Sequence, residues 1–182
     1  MKNTWSEDEG RRIVGAVFPR VLTAGNEGIA PGKVEDEMLL SLGDYSDPLE
    51  APDGVTFGFY EGDPAPLLAA VREVEPNWAK YFDGREPALC GFVDGKVVSF
   101  CLLSDFGERE ILGERAKVGG TGCVGTVPAY RRRGIGLKMV SLGTAILQER
   151  GFGYSYIHDT GVPDWYAKLG YATVYRRENP VK

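Results

Sequence analysis

The sequence predicts an α/β domain from three observations. These are a β-hairpin centred on Asp94-Gly95, a long amphipathic helix over residues 134–150, and strand-like and helix-like stretches that alternate from residue 55 onward. The hairpin is the sharpest local signal: Ala88 to Val93 and Lys96 to Ser104 are apolar and rich in β-formers, and Asp-Gly between such runs suits the two left-handed positions of a tight turn. In the long helix, Ile135, Met139, Leu142 and Ile146 follow at spacings of four, three and four. They form one buried stripe, with Gly151 placed to stop the helix. That stripe makes Met139 a core residue.

The other elements follow in order. Val55 to Tyr60 reads as a strand of β-branched and aromatic residues. Asp63-Pro64 starts a helix with Leu67, Leu68, Val71 and Val74 on one face, and Pro76 stops it. A second short helix carries Trp78, Tyr81 and Phe82 before Gly84. Lys117 to Val127 reads as a strand, yet Gly119, Gly120, Gly122 and Gly125 weaken it, so the close approach of a ligand, a bulge or an irregular edge is expected there. Tyr154 to His158 is a further strand, Pro163 to Leu169 a short helix, and Ala172 to Arg176 a last strand. Before residue 55, a Ser6–Glu9 capping box ahead of Ile13, Val14 and Val17 predicts one helix, and Val34 to Leu42 reads as another. Residues 1–54 are therefore expected to form a helical N-terminal extension packed on a main domain of residues 55–182.

Composition narrows the class. A chain of 182 residues suits one domain with a substantial core. Its net charge of −5 argues against nucleic acid as a partner. The most apolar N-terminal stretch, Ile13 to Leu22, is broken by Pro19 and Arg20 and preceded by Glu7, Asp8 and Glu9, the wrong charge for a secretory signal; no membrane span and a cytoplasmic location are expected. Cys90, Cys101 and Cys123 sit in apolar strand contexts and read as reduced core thiols, and no spacing supports a metal site.

The segment Arg131-Arg132-Arg133-Gly134-Ile135-Gly136 carries the functional reading. It opens the long helix directly after a strand, where unpaired N–H groups and the helix dipole favour an anion such as a pyrophosphate. It is not a Walker loop, since Lys138 is followed by Met139 and supplies no hydroxyl for a magnesium ion. A literal GxGxxG at Gly120–Gly125 runs on into Thr126-Val127-Pro128 rather than opening a helix, and no acid follows at the ribose position, which argues against a dinucleotide. The bland reading of the three arginines is a solvated helix start.

These residues resemble the GCN5-related N-acetyltransferase family. Arg131, Gly134 and Gly136 match its signature between the family's fourth strand and third helix, and Trp165-Tyr166-Ala167-Lys168-Leu169-Gly170-Tyr171 is similar to its second recurrent block. The resemblance covers residues 55 to 177 in outline. It implies a mixed, mostly antiparallel central sheet of about six strands flanked by helices, with acetyl-CoA as co-substrate. The cofactor would be held by Val124, Gly125, Thr126 and Val127 on the fourth strand and by Arg131, Arg132, Arg133, Gly134, Ile135 and Gly136 at the helix start. It also gives Tyr166 the role of general acid toward the departing thiolate, and a backbone N–H near Val124 that of oxyanion donor; the alternative for Tyr166 is a core aromatic beside Trp165.

The base is where the sequence departs from the family. Relatives that acetylate lysine often carry a glutamate at the place held here by Val118, and no carboxylate lies between Lys117 and Arg133. His158 is a base or water-positioning candidate, or else a hydrogen-bonded structural histidine, and Asp159 either caps the following helix or touches the cofactor. Without a strong base, a primary amine of low pKa is the easier acceptor, which favours a small molecule or an α-amine. The run Glu35 to Asp53, with seven acids and no basic residue, reads as a solvated loop or as an attractor for a cationic acceptor. The resemblance implies a further strand after residue 176 that the sequence does not show, so either the N-terminal extension or a second copy of the chain, as a homodimer, covers that sheet edge, or the edge is exposed. A silent acyl-CoA-binding or regulatory module of the same fold, and an interaction protein, are the competing functions.

Overall fold

The computed structural model describes residues 5–181. In chain order its elements are α1 (Glu7–Val17), β1 (Lys33–Ser41), β2 (Thr56–Phe59), α2 (Ala65–Val74), β3 (Ala88–Val93), β4 (Lys96–Ile111), β5 (Glu114–Thr126), α3 (Ile135–Glu149), β6 (Tyr154–Thr160), α4 (Pro163–Ala167) and β7 (Ala172–Asn179). The strands form one seven-stranded sheet in the order β2-β3-β4-β5-β6-β1-β7. The pairings β2–β3, β3–β4, β1–β6 and β1–β7 are antiparallel, while β5 and β6 run parallel. Among the described residues no helix is long and apolar enough to cross a membrane.

The chain divides into two compact units: Met1–Gly43 with Asp105–Gly120 and Gly151–Lys182, and Asp44–Ser104 with Thr121–Arg150. In the first unit, α1 begins with the expected capping box, Ser6 N–H donating to Glu9 Oε2 at 2.8 Å and Glu9 N–H to Ser6 Oγ at 3.3 Å. The apolar face of α1 then buries Ile13, Val14 and Val17 against Leu39, Tyr156 and Val174. A Cβ on Gly10 would lie 1.8 Å from the Val174 carbonyl oxygen, so only glycine lets the helix cross the β7 backbone at this depth.

The second N-terminal helix expected over Val34 to Leu42 is instead β1. Val34, Met38 and Leu42 fit a helical stripe, but β1 lies between β6 and β7, and a strand flanked on both sides and covered on both faces shows a continuous buried run in place of alternation. The sheet thus gains a seventh strand, and the N-terminal segment enters the sheet beside β7 rather than covering its outer edge.

Two-residue turns with left-handed backbones set both hairpins. The Asp94-Gly95 turn has φ values of 48° and 74°, as its sequence predicts. The second, Leu112-Gly113 at 52° and 94°, carries β4 and β5 beyond their expected ends. Leucine at the first left-handed position hides that turn from a sequence reading.

In the second unit α2 starts one residue later than Asp63-Pro64 suggests. Pro64 is the cap residue, and Asp63 Oδ1 accepts from Ala65 N–H at 3.0 Å. The expected short helix is a 3-10 turn over Pro76–Tyr81. Helix α3 is more buried than one stripe allows: Met139 packs with Leu89, Cys101 and Leu103, and Val140, Ser141, Gly143, Thr144 and Leu147 are buried as well. The three cysteines are unpaired, and burial pushes the Cys90 thiol up to about 12 and Cys123 up to about 11, which leaves them protonated core residues.

Candidate functional site

The second unit holds the glycine-arginine loop. Near the end of β5, Cys123 adopts a left-handed φ of 47°, a local break in the extended backbone just before Val124. Gly125 follows because the Phe100 ring lies beneath it, where a Cβ would sit 2.3 Å from a ring carbon. Ser99 Oγ donates to Gly125 O at 2.8 Å, the Ser99 and Thr126 hydroxyls lie 2.9 Å apart, and Val127 N–H donates to Val98 O at 2.9 Å. These bonds fix where the chain leaves the sheet.

A 3-10 turn over Pro128–Tyr130 then leads to the arginines. Arg131 Nε donates back to Thr126 O at 3.0 Å, and the Arg133 guanidinium lies over the Tyr130 ring, 5.5 Å from its centre. Arg132 at φ 62° and Gly134 at φ 77° turn the chain into α3. Gly134 is the N-cap residue, and having no side chain it gives the first-turn N–H groups of this 15-residue helix no side-chain cap. That arrangement suits an anionic phosphate, whose oxygens would serve those donors with three arginines close in sequence.

A clasp that the sequence reading missed holds this helix start. Lys138 Nζ donates to the Asp47 carboxylate and to Leu49 O, Ser141 Oγ donates to Asp47 Oδ1 at 2.7 Å, and the Tyr45 and Ser141 hydroxyls lie 2.9 Å apart. Burial raises the Asp47 pKa, but the hydrogen bonds from Lys138, Ser141 and Leu49 N–H, with the Lys138 charge, outweigh it and hold the carboxyl below its ordinary value. Asp47 is thus a structural anchor, and Lys138 is engaged by it. In sequence Asp47 is one acid of the run Glu35 to Asp53, and nothing there marks Lys138 as its partner.

In the first unit, Tyr166 on α4 is buried, its ring set edge-on to Trp165 at 4.8 Å and to Tyr171 at 5.9 Å. His158 and Asp159 lie next to one another just before the last residue of β6, Thr160. The His158 ring stacks on Phe18 at 4.5 Å, and its Nδ1 lies 3.3 Å from Asp159 Oδ2. The hydrogen bond from His158, followed by the charges of His158, Arg177 and Arg20, holds the Asp159 pKa down against burial. An ionised carboxylate only accepts, so a neutral His158 carries its proton on Nδ1 and leaves Nε2 to accept one. Asp159 neither caps α4, whose N-cap residue is Val162, nor lies in an exposed turn; it pairs with Arg177 at 2.6 Å.

Glu37 is the second residue that the sequence reading missed. Between the register pairs Asp36–Thr160 and Met38–Ile157, β6 carries one residue more than β1. Asp159, at φ 51°, lies in this bulge and donates its N–H to Glu37 Oε1 at 3.0 Å, while the Tyr156 hydroxyl donates to Glu37 Oε2 at 2.6 Å. Glu37 is fully buried, and Asp36 beside it is equally so, paired to Arg176 at 2.7 Å. The first acids of the run read as a solvated loop therefore lie inside the sheet.

Burial raises the Glu37 pKa more than its two donors lower it, and burial with the Asp159 charge raises that of Glu35 despite Arg177. A raised folded-state pKa means that these groups stabilise the fold fully below the unfolded value of about 4.3 and lose that contribution as pH rises through the folded value. Asp47 and Asp159, with lowered values, act in the opposite sense, and their contribution is lost as pH falls through the folded value. Glu37→Gln keeps both hydrogen bonds if the Tyr156 hydroxyl turns to accept from the new amide. Its melting temperature is expected to fall less between pH 5 and 8 than that of the parent chain (about the range above the unfolded carboxyl value). Parallel melting curves for the two proteins would refute the burial account of Glu37.

Residues 56–171 match the acetyltransferase (GNAT) family. The match spans well over half of the chain, and the protein belongs to that family, whose fold supports acyl transfer and typically uses acetyl-CoA. Solved structures of similar fold include a GCN5-related glucosamine N-acetyltransferase region of a fungal multi-domain GH3 beta-N-acetylglucosaminidase (20% identity, TM-score 0.69, 87% of this chain and 22% of that one). Others are GCN5-related N-acetyltransferases from Kribbella flavida (21%, 0.59, 87% and 61%) and Sphaerobacter thermophilus (21%, 0.59, 86% and 53%). The chain thus spans less than two thirds of the length of each of these proteins. Comparison with curated protein sequences finds no match.

Proposed function

We propose that this chain moves an acetyl group from acetyl-CoA to a primary amine of a small molecule, or to an α-amine, by direct attack. The observation that carries this reading is the α3 N-terminus without a side-chain cap, entered through Arg131–Arg133 and Gly134, which fits the pyrophosphate of coenzyme A. In the proposed reaction the free amine attacks the thioester carbonyl carbon, the oxyanion is stabilised by a backbone N–H near Val124, and collapse breaks the C–S bond. Tyr166 protonates the leaving thiolate.

Val118, at the place of the family's glutamate, is fully buried and apolar, which supports an acceptor that needs no strong base. A lysine-type amine with a pKa near 10.4 is free base in only about one molecule in a few thousand at pH 7, an α-amine near 7.8 in roughly one in seven. His158 is the base candidate, and Asp159, 3.3 Å from its Nδ1, the orienting partner.

The test is a thermal-shift titration with acetyl-CoA, followed by thiol release across α-amino acids, amino sugars including glucosamine, and lysine peptides. Stabilisation by acetyl-CoA with turnover of small or α-amines is the expected result. Stabilisation without turnover of any amine would instead favour a silent acyl-CoA-binding module, and a strict preference for lysine peptides would overturn the acceptor assignment.

A further inference from the structure

The first unit contains a pocket of about 520 Å³ whose walls come from the turn after α1, the start of β1 and the ends of β6 and β7. Its volume lies in the range of small-molecule sites. Its chemistry is two-signed, with Glu27, Glu35 and Asp159 set against Arg20 and Arg177, and Val21 adding an apolar patch. We propose that this pocket binds a small zwitterion, a molecule that carries a primary ammonium group and a carboxylate.

Arg177 forms the rigid wall. Its side chain is 7% exposed, and Nη2 donates to Glu35 Oε2 at 2.7 Å and to Asp159 Oδ1 at 2.6 Å. Nη1 donates to the carbonyls of Gly25 and Glu27 at 3.4 and 3.3 Å. The guanidinium is thus oriented by four acceptors before any ligand arrives, and preorganisation of this kind lowers the entropic cost of binding. Three carboxylates face two arginines, and Asp159 takes both of these, at 2.6 Å from Arg177 and 3.2 Å from Arg20, which leaves Glu35 a share of Arg177 and the wall short of positive charge. Burial together with the Asp159 charge raises the Glu35 pKa, in keeping with that deficit. An ammonium placed against Glu35 removes it.

Arg20 supplies the complementary end. It is held by Asp159 at 3.2 Å and by the Phe18 ring at 4.4 Å, yet its side chain remains 71% exposed and open to a carboxylate. A ligand with only one charge would satisfy one wall and leave the other as it is.

Calorimetric titration without acetyl-CoA tests this independently of acetyl transfer. The probes are L-alanine, β-alanine and 4-aminobutyrate, with butylamine and butyrate as single-charge controls. At least one zwitterion is expected to bind about tenfold more tightly than both controls, and Arg20→Gln and Glu35→Gln each to weaken it by about tenfold. Arg20→Gln alters an exposed side chain and should melt as the parent does, so its result stands even if Glu35→Gln fails to fold. Zwitterions that bind no better than butylamine or butyrate, or that bind Arg20→Gln as they bind the parent, would overturn the proposal and leave a purely structural ion-pair network.

Discussion

Asp47→Ala is expected to lower the unfolding free energy by about 3 kcal/mol, read as a shift in the urea midpoint at unchanged m-value. Asp47 and Lys138 side chains are only 13% and 14% exposed, so solvent screens their pairing weakly. Deleting the carboxylate removes the acceptor for both Lys138 Nζ and Ser141 Oγ and leaves the lysine charge half-sequestered against α3, with Leu49 O as its remaining acceptor. Breaking one side of a buried pair costs about 3–5 kcal/mol, and the low end applies because the lysine stem can bend its ammonium toward water. The double variant Asp47→Ala/Lys138→Met should recover a large part of the loss, since it removes the uncompensated charge along with its partner. Additive losses in the two single variants would show that the clasp is not a coupled unit.

The Asp47 clasp also shows where sequence reasoning reached and where it stopped. Much of what is local was legible: the Ser6–Glu9 box, the Asp94-Gly95 turn, the Gly134 entry and Gly151 exit of α3, and the two motifs that gave the family, whereas the equally local Leu112-Gly113 turn was hidden by its leucine and the α3 stripe was only half right, Leu142 and Ile146 being half-buried. Each depends on residues within about one turn of one another, where backbone geometry and side-chain chemistry are coupled directly. What else failed depends on partners far along the chain. Asp47 meets Lys138 and Ser141, and Asp36 and Glu37 meet Arg176, Thr173 and Tyr156, residues more than ninety positions away. A carboxylate whose counter-charge is that distant looks like any solvated acid. For the same reason β1 passed for a helix: its buried run follows from lying between β6 and β7, a fact of topology that no window of nine residues contains. Glu37, buried in that run, accepts from the Asp159 N–H and so holds the bulge of β6 in place.

Tyr166→Phe should separate the two readings of this residue, with the largest effect on activity of any single change. If Tyr166 protonates the thiolate, removing its hydroxyl forces the leaving group to depart unprotonated or to take its proton from water, and kcat is expected to fall by about 10²–10⁴-fold, the usual contribution of a positioned acid. The fold is expected to be almost unaffected. Phenylalanine keeps the ring that sits edge-on to Trp165 and Tyr171, so the loss is limited to what the hydroxyl contributes, about 1 kcal/mol for a typical hydrogen-bonding group. The predicted signature is therefore a large drop in turnover with acetyl-CoA affinity and melting temperature nearly unchanged, because the pyrophosphate is assigned to backbone N–H groups and arginines at the α3 start, which this substitution does not touch. Tyr166→Ala provides the contrast: it deletes the buried ring as well and should cost about 3–5 kcal/mol of stability, as large aromatic truncations do. Should Tyr166→Phe turn over as fast as the parent while Tyr166→Ala destabilises, Tyr166 is a core aromatic, and the proton must reach the thiolate from another donor or from solvent.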